Sequence, residues 1–147
     1  MSMVRFGKLF PEIALRETRM ISIYDPLPPQ DPRYLPKDDY SFDELYCTER
    51  GCDCHRVVLV VYSRHAMGPV ATINHAFAKP AKDAIIRRQT FLDPLHPQSQ
   101  WSRSLLETFE SMVRADNDYR QRLMRHYRMF RDVVNDPSHP AHHLLGS

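Results

Sequence analysis

Glycine is scarce in this chain, with 4 residues among 147. Phosphate-cradling loops of the dinucleotide or Walker type need several glycines close together so that backbone can wrap an anion, and no such group exists here. No apolar run approaches the roughly 20 residues of a bilayer-spanning helix. The opening segment Met-Ser-Met-Val-Arg-Phe-Gly-Lys lacks the apolar core and small-residue cleavage site of a secretory signal, so the cytoplasm is the expected compartment. Charge excess is small too, at +2, and bulk charge alone does not point to nucleic acid. There is no His-Glu-x-x-His, no His-x-Glu with a partnering Pro-Cys-x-x-Cys, and no Gly-x-Ser-x-Gly elbow. Internal repeats are lacking as well.

Cysteine is rare but concentrated. All three cysteines fall in Cys47-Thr-Glu-Arg-Gly-Cys52-Asp-Cys54, with His55 next. An odd count argues against a disulfide framework, as does reducing cytosol. Short loops hold thiolates at one point, which is what a soft-leaning divalent metal such as zinc requires. Structural zinc takes four ligands. Three thiolates already carry more charge than the ion, so a neutral histidine is the reasonable fourth. His126 is the first choice, because helical geometry puts it at the edge of an apolar stripe with its ring facing inward. His55 is the alternative, although it adjoins Cys54 in an extended segment where neighbours point apart.

Other chemistry fits the cluster less well. Thioredoxin-like redox sites place Cys-x-x-Cys at a helix N-terminus, whereas spacings of four and one between strands do not. A catalytic zinc needs an open position and a base. Glu44, Glu49 and Asp53 are near in sequence, but no set of nucleophile, base and orienter stands out. A closed structural site is the reading that follows.

Periodicity supplies the frame. Thr18 to Tyr24, Tyr40 to Cys47, Arg56 to Tyr62 and Val70 to Phe77 read as strands. Arg56 to Tyr62 is apolar on both faces, as a central strand is. The cysteines then sit at one hairpin tip. Five prolines between Asp25 and Pro36 make that stretch an extended loop. Lys82 to Gln89 reads as a short helix. Trp101 to Ala115 and Asp118 to Val134 are amphipathic helices, with Asp116-Asn117 able to cap the second. The fold class is α+β: a small antiparallel β-meander of three to four strands packed against two C-terminal helices. A single domain over residues 1–147 is expected, with an ordered core from about 17 to 136 and a loose tail from 137 to 147.

Arg120, Arg122, Arg125, Arg128 and Arg131 read as the side of the last helix opposite its apolar stripe, a face for an anion or a partner. No aromatics are interleaved on it, which disfavours stacking on single strands.

Four stretches carry a resemblance: Tyr40-Ser-Phe-Asp-Glu-Leu-Tyr-Cys47, Cys52-Asp-Cys54-His-Arg56, Leu92-Asp-Pro-Leu-His-Pro-Gln-Ser99 and Arg122-Leu-Met-Arg-His126-Tyr127. Together they resemble a group of uncharacterised bacterial proteins, some of which carry a SEC-C-type zinc tail like that of the SecA translocase. The SEC-C motif itself has Cys-x-Cys first and a Cys-Cys or Cys-His pair after a gap, and this chain inverts that order. The resemblance implies a zinc-associated, protein-binding context and no reaction.

The expectation is a small cytoplasmic zinc-binding domain, not an enzyme, with metal on Cys47, Cys52, Cys54 and His126 and with another protein as its partner. No membrane is involved. Two alternatives stand beside it: nucleic-acid or nucleoprotein binding through the arginine face, and a metal-dependent or redox enzyme.

Overall fold

Alternation from Tyr40 to Tyr46 dictates a strand with one dry face, and Tyr40, Phe42, Glu44 and Tyr46 are all buried there while Ser41, Asp43 and Leu45 are less so. The structure, a computed structural model, describes residues 2–146. Its chain order is β1 (Met3–Arg5), α1 (Phe6–Leu9), α2 (Pro11–Glu17), β2 (Arg19–Ile23), β3 (Asp38–Cys47), β4 (Arg56–Ser63), β5 (Gly68–Ala76), β6 (Thr90–Leu92), α3 (Ser102–Ala115) and α4 (Asn117–Asn135), then a 3-10 helix at His142–Gly146. The α+β architecture is as expected, with a larger sheet. All strand pairings are antiparallel, in the order β1-β3-β4-β5-β6 with β2 also on β3.

One row across the dry face shows how the sheet is filled: Glu44 opposes Leu59, Leu59 opposes Ile73, and Ile73 opposes Leu92. Against this face lie Leu105, Leu106, Phe109 and Val113 of α3 and Tyr119, Leu123, Tyr127, Phe130 and Val134 of α4, all buried. Asp116 caps α4 by accepting from the Tyr119 N–H at 3.0 Å. Among the described residues, no helix is long and apolar enough to cross a membrane.

Three segments differ from expectation. Lys82 to Gln89 forms turns and bends rather than a helix. Pro80 and Asp83 favour turns, and the exposed Ile85 and Ile86 find no core to pay for helical order. The N-terminal segment contributes to the core, because Phe6 and Leu9 are buried and α1 packs on β3 and α4. At the other end, the 3-10 helix packs Leu144 and Leu145 against the core, and His142 bonds the Val133 carbonyl at 2.8 Å.

The N-terminal segment also delivers Glu17 to a buried ionic cluster. His126, fully buried, places Nδ1 2.8 Å from Glu44 Oε1 and Nε2 2.7 Å from Glu17 Oε1. The Tyr46 hydroxyl donates to Glu44 at 2.7 Å, and Arg125 donates to Glu17 at 2.8 Å. Phe6 stacks on the imidazole, 4.1 Å between centroids. Ionised carboxylates only accept, so with both ionised each ring nitrogen carries a hydrogen. Glu44, buried on the aromatic face of β3, therefore pairs with His126.

Two outcomes follow from this cluster. His126→Ala leaves Glu44 buried without its partner and is expected to cost about 3–5 kcal/mol in urea denaturation at neutral pH. The hydrogen bond with His126, aided by Arg125, holds the Glu17 carboxyl below its ordinary value of 4.5. A depressed carboxyl stabilises the fold above that value and ceases to do so as pH falls through the folded one. The stability gap between the wild type and Glu17→Gln should therefore be widest near neutrality and close on acidification, as read from denaturation midpoints across that range.

Candidate metal centre

The loop between β3 and β4 is shaped by its own sequence. The Cys52 N–H donates to the Glu49 carbonyl at 3.2 Å, closing a four-residue turn. Gly51 holds its third position at φ 74°, the left-handed value that a type II turn demands there and that glycine adopts freely. The Gly51 N–H is anchored on Asn135 Oδ1 at 2.8 Å. His55, at φ 51°, bends the chain into β4, donates its N–H to the Tyr127 hydroxyl at 3.2 Å and rests its ring on that tyrosine.

The turn brings two sulfurs and a carboxylate to one place. Ligand atoms of Cys47, Glu49 and Cys52 all lie within 4.8 Å of one another. Cys52 is near both other thiols, interacting with Cys47 and with Cys54. None of the three forms a disulfide. Cys47 is buried, Cys52 and Cys54 half-buried, and Glu49 exposed, so the group faces solvent on one side.

Arg131 holds this loop from behind. Its guanidinium donates to the carbonyls of Glu49 and Cys52, each at 3.0 Å, and to that of Cys47. The side chain is buried, and its Nε has no partner among the described residues. Three carbonyls from the cysteine loop are thus gathered by one planar fork, for which arginine geometry suits and lysine geometry does not.

Burial pushes the Cys47 thiol up, and it pushes Cys54 up to about 11, with neighbouring Cys52 adding to both. Opposing this, the Glu49 N–H donates to Cys47 Sγ at 3.3 Å, and the Arg56 N–H bonds the Cys54 sulfur. Each is an N–H two residues downstream of its cysteine, an arrangement that favours thiolate. The Cys47 and Cys54 sulfurs are therefore protonated when bare, but placed to be stabilised once deprotonated by a cation.

Several expected site residues stand elsewhere. His126 offers a metal nothing, because both ring nitrogens are taken by carboxylates. Neither Cys54 nor His55 is part of the group that converges within 4.8 Å: Cys54 stands beside Cys52, and the His55 ring lies on Tyr127 instead. Glu49 enters the group unforeseen as a ligand. The signal was present, since a turn closed from Glu49 to Cys52 over Gly51 must place those two side chains together. His75 pairs with Val57 close to the cysteine loop and bonds Thr90 Oγ1 at 2.8 Å.

The arginine face is largely consumed within the molecule. Arg131 is buried. At 100° per residue it lies only about 40° from Tyr127, inside the apolar arc. Arg120 donates to the Val113 and Arg114 carbonyls at the end of α3 and to Asn117. Arg122 donates to the Glu17 carbonyl at 3.1 Å, and Arg125 to the Glu17 carboxylate. Arg128 remains exposed.

Proton release gives a direct check on the site. Binding of Zn²⁺ near pH 7 by all three thiols should free roughly three protons, one from each, and affinity should rise with pH. Calorimetry in buffers of different ionisation enthalpy measures both. Comparison of the chain with protein-family models, curated proteins and solved structures finds no match.

Proposed function

We propose that this is a cytoplasmic zinc-binding domain in which the ion is structural and the domain serves as a protein-interaction module. Cys47, Glu49, Cys52 and Cys54 are the ligand set of this reading. The observation that carries it is the convergence of Cys47 Sγ, the Glu49 carboxylate and Cys52 Sγ within 4.8 Å. Three thiolates and a carboxylate would leave the complex with an excess of two negative charges. The buried Arg131 guanidinium behind the loop offsets part of that excess. Its grip on the loop backbone also reduces the ordering cost of binding.

The interaction role draws on different residues. Leu15, Met20, Tyr24 and Leu27 are exposed, and they follow closely in sequence along α2, β2 and the loop beyond. Large apolar side chains gathered on one stretch are a recurrent mark of protein contact sites. The zinc-associated resemblance of the sequence agrees with this reading.

Metal analysis of protein purified without chelator is expected to give one zinc per chain. Cobalt substitution should produce the intense near-ultraviolet band of thiolate coordination, weakened in both Cys47→Ser and Cys52→Ser. Glu49→Gln should keep the band and lower affinity by about 10–100-fold, and chelation should lower the melting temperature of the wild type. Protein without bound metal whose melting is indifferent to both chelator and added zinc would overturn the structural role.

A further inference from the structure

A second site lies away from the cysteines, where the α3–α4 junction faces β5 and the segment leading into β6. A cleft of about 820 Å³ opens there, within the range of small-molecule sites. Its lining includes Lys79, Arg88, Arg103, Arg114 and Arg120 against a single carboxylate, Glu110. Five positive groups and one negative give a formal charge of +4, in a chain whose net charge is +2. The cations come from separate stretches of chain, so the fold rather than a basic run assembles them.

We propose that this cleft binds a small phosphorylated ligand with an aromatic body, of the size of a nucleoside monophosphate.

Three observations carry the proposal. Among the described residues, the charged ends of Lys79, Arg88, Arg103 and Arg114 make no hydrogen bond and no close ion pair. Arg120 differs, because it is spent on the carbonyls that end α3. Arg88, Arg103 and Arg114 nevertheless all line the same cleft as Glu110 and lie near enough to act electrostatically on its carboxyl. Free guanidinium groups brought together from different elements suit a phosphate, whose oxygens accept forked pairs of hydrogen bonds.

The interior of the cleft is of another kind. Phe77, Leu106, Val113, Leu123 and Met124 supply apolar lining for a flat ring. His75 also lines it, with Nδ1 engaged by Thr90 Oγ1. Burial, with Arg56 adding, pushes this histidine down to about 4, so it is neutral at physiological pH. Its Nε2 has no protein partner among the described residues and can meet a polar edge of the ring. A cationic rim over an apolar interior selects a ligand with both parts. The cleft shares none of the cysteine-loop ligands, so this proposal stands or falls apart from the zinc reading.

Titration of the full chain with adenosine 5′-monophosphate, followed by amide chemical shifts at low salt, tests it. Adenosine monophosphate should perturb signals from the cleft lining, and adenosine should bind at least about tenfold more weakly. Arg103→Ala and Arg114→Ala should each weaken the nucleotide by about tenfold, and Arg103→Lys by less. Arg128→Ala, a charge loss on α4 outside the cleft, should leave binding unchanged. All three positions are exposed, so the four variants are expected to fold, and their own amide spectra report that. No binding of the nucleotide, equal binding of adenosine, or equal losses in Arg128→Ala and Arg103→Ala would overturn the proposal. Far tighter binding of a short oligothymidine than of the monophosphate would overturn it in favour of a nucleic-acid groove.

Discussion

The grip of Arg131 on the carbonyls of Cys47, Glu49 and Cys52 is the constraint on which the candidate metal centre depends. A hairpin loop left to itself samples many arrangements, and three sulfurs carried on it would rarely coincide. Here the loop is tied to α4 by a buried cation, and α4 is tied to the sheet by its apolar arc. Burying a guanidinium is costly unless its donors are satisfied, and only Nε stays without a partner. The cost falls on the folded helix and sheet, so ordering of the thiols does not have to come entirely from the metal.

A second buried charge cluster performs a related task about one and a half turns before Arg131 along α4. His126 joins three separate stretches of chain: Glu17 at the end of α2, Glu44 in β3 and its own helix. Such clusters are weak evidence for stability, because apolar replacements of similar shape can match them. Their geometry is more demanding than that of an apolar contact. A shift of α4 relative to β3 would break both bonds of the imidazole, whereas a leucine in its place would tolerate the slip. The cluster thus acts on register, and the stacked Phe6 excludes water from it.

Much of the fold was legible because periodicity is a local property. The strands from Arg19, Asp38, Arg56 and Gly68 and both long helices follow the spacing of their apolar residues. Short elements were not legible: β1 and β6 have three residues each and exist only through their partners. The cysteine cluster announced itself by proximity in sequence. The roles of His126 and Arg131 did not, since both depend on what comes to rest against α4. An inward histidine is compatible with a metal or with a carboxylate. Only the arrival of Glu17, 109 residues distant in sequence, decides between them. Glu49 was hidden by the habit of seeking a histidine to complete three thiolates.

The pairing around β3 bears on how this protein behaves at high concentration. The ten residues of β3, with aromatics at Tyr40, Phe42 and Tyr46, would make a long template if left open on one side. That side is instead divided, with β1 covering Leu45 to Cys47 and β2 covering Asp38 to Phe42. The outermost strands of the sheet are consequently no longer than five residues, and the chain detours through two short helices between β1 and β2. Short, interrupted borders offer few successive hydrogen-bonding groups to another chain, so strand-by-strand stacking into fibrils has little on which to begin.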